Sequence, residues 1–227
     1  MHIFILTGAG ISAESGLGTF RDKDGLWTKY DLSEVATPEG FARDPAKVHA
    51  FYNARRRNAA EAAPNAAHEA LARLQQRYAG PLTIVTQNVD DLHERAGAEV
   101  WHMHGALSRA RCHVCPAEWD APVEMSPEDP CPACGARATR PAIVWFGEMP
   151  LYLDEIYARL EDADLFVAIG TSGQVYPAAG FVAAAAEAGA QTLEINLDAS
   201  DTSPVFEDRI LGPATETVPA WVASVLD

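Results

Sequence analysis

The chain has 227 residues, of which 48% are hydrophobic, and its 32 acidic and 17 basic side chains give a formal net charge of −15. This length suits one large domain, or a domain that carries an insertion. The acidic balance argues against nucleic-acid binding, which needs a cationic surface, and is compatible with a lysine-rich partner. The lack of a long apolar run and of a signal-peptide pattern predicts a cytoplasmic protein that does not bind a membrane.

A strand followed by a glycine-rich loop is predicted at the start of the chain. The apolar run 3–6 precedes Thr7, and short apolar runs bounded by glycine are typical of buried parallel strands. Gly8 and Gly10 let the backbone turn sharply, and bare amide N–H groups after a strand suit a pyrophosphate. The glycine spacing does not match the usual dinucleotide fingerprint. An ordinary glycine turn in an α/β domain is therefore an alternative.

Helices and strands alternate along the rest of the chain. Apolar periodicity predicts helices over 45–63, a segment after Pro64, 90–96, 178–188 and 219–226, and strands over 82–86, 143–146, 165–169 and 192–197. This order predicts an α/β fold with a doubly wound parallel sheet. The sheet and its helices would form a Rossmann-like domain that consists of residues 1–28, 80–108 and 141–227. Two insertions, 29–79 and 109–140, would form a small module that combines helices with a segment containing all four cysteines.

Two C-x₂-C pairs with residues 116–130 between them predict a structural zinc site. The four ligands would be Cys112, Cys115, Cys131 and Cys134. A site of four thiolates leaves no open position on the metal, so this zinc would not be catalytic. Two disulfides or four free thiols are the alternatives, and disulfides are uncommon in a cytosolic chain.

Polar clusters follow four of the predicted strands. The carboxyl ends of parallel strands meet at one edge of a sheet, so these clusters are expected to share a ligand. Helix capping is the alternative for each cluster, because Asn, Asp, Ser and Thr all cap helices. The clusters are residues 8–10, Gln87-Asn88-Val89-Asp90, Gly170-Thr171-Ser172 and Asn196-Leu197-Asp198.

Three motifs resemble those of the sirtuins, the NAD-dependent protein lysine deacylases. They are GAGISAESGLGTFRD over residues 8–22, TQNVD over residues 86–90, and His104-Gly105. The resemblance implies that His104 is the general base, acting with Asn88 and Asp90. On chemistry alone His102 is a rival, because either imidazole suits base work near neutral pH.

The same resemblance implies how NAD and the substrate bind. The acyl oxygen of an acylated lysine on a protein would attack C1′ of the nicotinamide ribose, and nicotinamide would leave. His104 would then take a proton from a ribose hydroxyl, which attacks the covalent intermediate. Water would complete the transfer and give O-acyl-ADP-ribose and free lysine. The peptide would lie as an added strand between two segments, through Val144, Phe146, Gly147, Gly173 and Val175. The implied NAD contacts are Gly8, Ala9, Gly10, Ser12, Thr19, Phe20, Arg21, Gln87, Asn88, Val89, Asp90, Gly170, Thr171, Ser172, Asn196, Leu197, Asp198 and Ala214.

A phenol and a guanidinium are expected on one helix face near residue 50. Tyr52 and Arg55 are three positions apart, and Arg56 also lies within reach of that face. Such a pair can hold a carboxylate, whereas the alternative is a solvated basic helix end. Ala36 with Tyr52-x-x-Arg55 resembles the class III sirtuin pattern, which implies a widened acyl pocket for succinyl, malonyl or glutaryl groups. We therefore expect desuccinylase activity above deacetylase activity.

Two other functions are compatible with these residues. A protein ADP-ribosyltransferase or NAD glycohydrolase would use the same NAD site without needing the Tyr52 and Arg55 pair. A non-enzymatic, NAD-responsive interaction module with a zinc ribbon would not need His104.

Overall fold

A computed structural model describes residues 1–18 and 31–227 of the chain. Within these residues, nine strands form two sheets, a larger parallel one and a smaller antiparallel one. The strands are β1 (Ile3–Thr7), β2 (Leu82–Thr86), β3 (Trp101–His102), β4 (Gly105–Cys112), β5 (Glu118–Asp120), β6 (Thr139–Ile143), β7 (Leu165–Ile169), β8 (Gln191–Asn196) and β9 (Asp208–Leu211).

The larger sheet has the strand order β3-β2-β1-β7-β8-β9, and every neighbouring pair is parallel. Successive strands add outward from β1 on one side and from β7 on the other. This is the doubly wound arrangement that the alternation of strands and helices predicted, so the predicted fold class is confirmed. Ligands of such sheets bind where the strand order reverses, which here is the gap between the carboxyl ends of β1 and β7.

Eight helices lie in the described ranges, together with short 3₁₀ turns. The helices are α1 (Leu32–Val35), α2 (Pro38–Arg43), α3 (Pro45–Glu61), α4 (Ala66–Arg77), α5 (Leu92–Arg95), α6 (Leu153–Glu161), α7 (Phe181–Glu187) and α8 (Ala214–Leu226). The 3₁₀ turns include Ala9–Ile11 directly after β1 and Ala178–Gly180 directly before α7. No helix within 1–18 or 31–227 combines the length and apolarity that crossing a bilayer requires.

Helices cover both faces of the larger sheet. Side chains alternate along β1, so Ile3 and Ile5 pack with α4 and α8, whereas Phe4 and Leu6 pack with α6 and α7. Both faces of β1 are therefore buried, and its neighbour β7 is apolar throughout, as expected for central parallel strands.

A second core lies beside the sheet. It joins residues of α1 and α3, such as Val35 and Phe51, to Leu107 on β4, Ile143 on β6 and Trp145. Strands β4, β5 and β6 form the antiparallel sheet, which carries the cysteines at one end. Helix α4 packs against the larger sheet instead. The division of the chain into two modules stays a prediction.

Two predicted elements differ from the observed ones. The predicted strand 143–146 is wrong, because β6 ends at Ile143 and a turn follows in which the Glu148 amide donates to the Trp145 carbonyl. The final helix begins at Ala214 rather than 219, so Pro219 lies inside it and not in its first turn. Burial of Val218, Trp221 and Val222 against α4 offsets the hydrogen bond that Pro219 cannot donate.

Candidate functional site

Three glycines bring the loops after β1 and β7 into contact. A Cβ on Gly10 would lie 2.7 Å from the Gly170 Cα, and a Cβ on Gly8 would lie 2.8 Å from the Gly170 carbonyl oxygen. Gly170 itself has φ +62, where a side chain is strained, and its Cβ would lie 2.5 Å from the Ile11 nitrogen. Only glycine fits at these places. This close packing holds the loops after β1 and β7 together at the carboxyl ends of the two strands.

Two backbone amides of the glycine loop, which were predicted to be unpaired, donate hydrogen bonds within the protein. The Gly8 amide donates to the Ile169 carbonyl at 2.9 Å, and the Gly10 amide donates to the Gly170 carbonyl at 2.9 Å. These two N–H groups are used inside the protein and are not available to a pyrophosphate, contrary to the sequence-based expectation. The glycines serve instead for the close approach of the two loops.

Asn88 and Asp90 follow β2 and are tied to the glycine loop by Ser12. The Ser12 hydroxyl accepts from the Asn88 side-chain amide at 3.1 Å and donates to Asp90 Oδ2 at 3.3 Å. All three side chains are buried. Burial raises the pKa of Asp90, against the opposing effect of the Leu92 amide that Oδ1 accepts. His68, buried on α4, lies 3.3 Å from the Ser12 hydroxyl and supports it from behind.

His104 has the arrangement of a general base. Its Nδ1 lies 3.1 Å from the Gln87 carbonyl oxygen, to which an Nδ1–H donates, and this leaves Nε2 as the acceptor. Burial lowers its pKa below the ordinary value of 6.5, although the hydrogen bond to Gln87 opposes the shift. The imidazole is therefore neutral at pH 7, as a proton acceptor must be.

His102, the rival base, has both ring nitrogens engaged. Nδ1 lies 2.8 Å from the Asn88 carbonyl oxygen and Nε2 lies 2.7 Å from Glu94 Oε1. Burial alone would lower its pKa, but the hydrogen bond and charge of Glu94 outweigh burial and raise it. A ring whose two nitrogens both face acceptors has no lone pair to offer. His104 is thus the better base.

The polar clusters after β7 and β8 are joined to each other. The Asn196 side-chain amide donates to the Thr171 carbonyl at 2.7 Å, and Leu197 and Asp198 then continue along an exposed loop. Glu14, in the loop after β1, accepts from the Thr215 amide and hydroxyl near the start of α8. The expected shared edge of the sheet therefore holds all four clusters.

Helix α3 carries Tyr52 and Arg55 toward the same cavity, and Arg56 away from it. Tyr52 is 1% exposed, and its hydroxyl accepts from the Trp145 indole N–H at 2.9 Å. The Arg55 guanidinium carbon lies 5.8 Å from the Tyr52 ring centroid. Arg56 instead donates to the Leu107 carbonyl at 2.9 Å and to Asn53 Oδ1 at 2.7 Å. Of the two arginines, Arg55 lines the cavity and Arg56 does not, and the role of Arg55 in acyl binding stays a prediction.

The predicted peptide segments lie at the rim of the cavity. The Val144 amide donates to the His104 carbonyl at 2.9 Å, and the Phe146 amide donates to the Ala36 carbonyl at 2.9 Å. A peptide strand at this rim would have to use other backbone groups, since these two donors are engaged. Val175 is one of the described residues that line the cavity. Gly173 is not one of them and lies beside Thr202.

One cavity of about 970 Å³ connects these parts. It has room for a dinucleotide and an acyl chain, at the upper end of the usual range for ligand pockets. Predicted residues Thr19, Phe20 and Arg21 lie outside the described residues. The predicted residues that line it are Gly8, Ala9, Gly10, Ser12, Ala36, Tyr52, Arg55, Gln87, Asn88, Val89, Asp90, His104, Val144, Phe146, Gly147, Gly170, Thr171, Ser172, Val175, Asn196, Leu197, Asp198 and Ala214.

Sequence reasoning missed several residues of the wall. Asn58 and Ala59, one turn beyond Arg55 on α3, line the cavity together with Leu107 and Trp145. Periodicity on α3 could have found the first two, because positions i+3 and i+4 share a face with residue i. Leu107 and Trp145 carry no polar signal in the sequence.

The four cysteines meet as a cluster suited to zinc. Their sulfur atoms all lie within 4.8 Å of one another, with 3.8 Å between Cys112 and Cys134 and 3.7 Å between Cys115 and Cys131. A tetrahedron with Zn–S bonds of about 2.3 Å has sulfur atoms roughly 3.8 Å apart. These separations are far longer than a disulfide bond of about 2.05 Å. The geometry thus agrees with zinc and not with two disulfides.

Chelation of this zinc is expected to destabilise the folded protein. Four thiolates brought together without a cation repel one another, and structural zinc sites supply folding energy. Loss of at least about 3 kcal/mol would lower the melting temperature by roughly 6–12 °C. Thermal melts before and after treatment with a chelator, with zinc added back as the control, measure the effect. An unchanged melting temperature in protein shown to have lost its metal would contradict this role.

The fold and the site together define a nucleotide-binding α/β protein with an adjoining pocket for a second reactant. A model described as the Sir2 family matches residues 8–177, well over half of the chain. The chain belongs to the Sir2 family, the sirtuins, as its motifs predicted.

Individual relatives agree with this assignment. The chain is 60% identical over 231 residues to a protein from Caulobacter vibrioides named NAD-dependent protein deacylase, covering 100% of this chain and 97% of the relative. It is 54% identical over 229 residues to a protein of the same name from Escherichia coli strain K12, covering 99% of this chain and 82% of the relative. A Sir2 homologue solved as an NAD complex has a TM-score of 0.90 at 40% identity, covering 99% of this chain and 89% of that one. A Sir2 structure bound to an acetylated peptide has a TM-score of 0.85 at 27% identity, covering 98% and 92% of the two chains.

Proposed function

We propose that this protein is an NAD-dependent protein lysine deacylase that acts best on acyl groups ending in a carboxylate. The observation that carries the proposal is the single cavity that joins the glycine loops, His104 and the Tyr52–Arg55 pair. The names of the relatives, NAD-dependent protein deacylase, support the reaction class. NAD is the co-substrate, and the bond that breaks is the one between its nicotinamide and C1′ of the ribose.

The residues divide the work by position. The loops after β1, β7 and β8 would hold the adenosine and phosphate groups of NAD at the edge of the sheet. Asn88 and Asp90, fixed by Ser12, would orient the nicotinamide ribose. His104 would accept a proton from a ribose hydroxyl at Nε2, because Nδ1 faces the Gln87 carbonyl. No nucleophile from the protein is needed.

The acyl end of the cavity favours a negative charge. Arg55 supplies a guanidinium and Tyr52 a neutral phenol, since burial raises the Tyr52 pKa above its ordinary value of 10.0. Burial lowers the Arg55 pKa from 12.5, yet Tyr52 and Asp90 oppose the shift, and an arginine stays charged in a protein. A guanidinium can donate two parallel charge-assisted hydrogen bonds to a carboxylate, so an acyl group that ends in a carboxylate matches this end of the cavity.

A panel of acyl-lysine peptides with NAD tests the proposal. Succinyl, malonyl, glutaryl and acetyl peptides are expected to release free lysine, with the highest kcat/KM for an acidic acyl group. Mass spectrometry should detect O-acyl-ADP-ribose in step with nicotinamide. Nicotinamide release without free lysine would indicate an NAD glycohydrolase, and ADP-ribose attached to protein would indicate a transferase. The proposal also predicts acylated lysines on proteins as the partners.

A further inference from the structure

Trp145 contacts the acyl-binding pair but has no role in the function proposed so far. It lies two residues after the end of β6, is 2% exposed, and stands between two residues predicted to bind peptide, Val144 and Phe146. Its indole N–H donates to the Tyr52 hydroxyl oxygen at 2.9 Å. Trp145 therefore touches a group that would bind the acyl chain.

The hydrogen-bonding capacity of the Tyr52 hydroxyl gives this contact a consequence. A phenol oxygen can accept two hydrogen bonds and donate one. An indole N–H and a guanidinium can only donate. The Tyr52 hydroxyl accepts from Trp145, and the Arg55 guanidinium carbon lies 5.8 Å from the Tyr52 ring centroid. The indole N–H occupies one side of the oxygen, and neither Trp145 nor Arg55 can accept the hydroxyl proton, so this proton must point to a different acceptor.

Trp145 is itself held firmly. The Arg140 guanidinium lies 3.4 Å from the centre of the indole ring, a close cation–π contact. Arg140 also forms a bidentate ion pair with Glu148 at 2.7 and 2.9 Å, and Glu148 accepts from the Trp145 backbone amide at 2.9 Å. The Phe41 ring centroid lies 5.2 Å from that of Trp145. The indole N–H therefore has a fixed direction.

We propose that Trp145 is a positioning residue for acyl specificity, which turns the Tyr52 hydroxyl into an obligate donor toward the acyl carboxylate. The inference rests on the proposed function, since it explains how that function selects acidic acyl groups. With Trp145 in place, the end of the cavity offers the Tyr52 O–H and Arg55 N–H groups, which are donors only. An ionised carboxylate accepts hydrogen bonds and cannot donate them, so it matches this end.

The test is a double-mutant cycle on acyl preference. Trp145→Phe keeps an aromatic ring and removes the N–H, and Tyr52→Phe removes the hydroxyl that the N–H orients. The ratio of kcat/KM for succinyl-lysine over acetyl-lysine peptide is expected to fall about tenfold in Trp145→Phe, mainly through KM. In the Tyr52→Phe background the same substitution should leave the ratio unchanged, because no hydroxyl remains to be positioned.

Replacing Trp145 by benzothienylalanine covers the case in which Trp145→Phe does not fold. This isostere keeps the two fused rings and has sulfur in place of the N–H. Equal losses with both peptides, or a fall in the ratio that persists in the Tyr52→Phe background, would overturn the inference. If the wild-type protein does not favour the succinyl peptide at all, the proposed acyl preference fails first, and the two failures are thereby told apart.

Discussion

Replacing His104 by alanine is expected to lower kcat/KM for every acyl-lysine peptide by about 100- to 10,000-fold. The imidazole is neutral and has only Nε2 free to accept a proton, because Nδ1 faces the Gln87 carbonyl. Without it, the ribose hydroxyl has no base at this point of the cavity. Steady-state nicotinamide release measures the effect, and isothermal titration with NAD should give a dissociation constant within a few-fold of wild type. A fall of less than tenfold would remove His104 from the catalytic role.

The same residue predicts the acid limb of the pH profile. An imidazole accepts protons only in its neutral form, which predominates above its pKa. Because burial lowers the His104 pKa below 6.5, kcat/KM should stay high at pH 6.5 and decline only at lower pH. His102, whose pKa is raised by Glu94, would give a limb above 6.5. His102→Gln is the matched control, since the limb should persist in that variant if His104 is the base.

Replacing Arg55 by methionine is expected to remove most of the preference for acidic acyl groups. Loss of a charge-assisted contact to a carboxylate costs on the order of 2–4 kcal/mol. This corresponds to about 30- to 1,000-fold in kcat/KM for a succinyl peptide. Acetyl-lysine has no carboxylate at this end, so its kcat/KM should change much less. Both peptides are measured under the same conditions with saturating NAD.

The chain offers a close control for the loss of charge. Arg57 lies two positions further along α3, is exposed, and pairs with Glu124 on the surface. Arg57→Met removes the same charge from the same helix, and a surface ion pair contributes only about 0–1 kcal/mol to stability. The ratio of succinyl to acetyl activity should therefore match wild type in Arg57→Met. An unchanged ratio of succinyl to acetyl activity in Arg55→Met as well would contradict the assignment of the acyl site.

The sequence predicted the structure best where a local residue pattern coincides with a buried strand. The strands over 82–86 and 165–169 were predicted with their observed bounds, because short apolar and β-branched runs between polar segments leave little choice. The polar clusters that follow these strands were also found, since parallel strands bring their carboxyl ends to one edge. The cysteine spacing likewise predicted the cluster that the sulfur atoms form.

Features that depend on distant partners could not be predicted. Spacing alone placed both Arg55 and Arg56 near the face of Tyr52, and only the contact of Arg56 with the Leu107 carbonyl separates them. The apolar residues after Ile143 suggested a longer strand. Trp145 is instead buried in a turn, and its backbone amide donates to the Glu148 carboxylate. The glycine loop was expected to offer free amides, but the carbonyls of Ile169 at the end of β7 and of Gly170 just after it accept from two of them.

Helix α3 has two sides with separate duties. Asn53 exchanges hydrogen bonds with the Met125 backbone at 2.8 and 3.0 Å, and His49 lies 3.0 Å from the Thr139 carbonyl, so one side fastens the helix to the cysteine-bearing segment. Tyr52 and Arg55 lie on the other side. If the proposed function holds, a change at Arg55 would alter the acyl preference of the protein while the hydrogen bonds of Asn53 and His49 keep the helix attached.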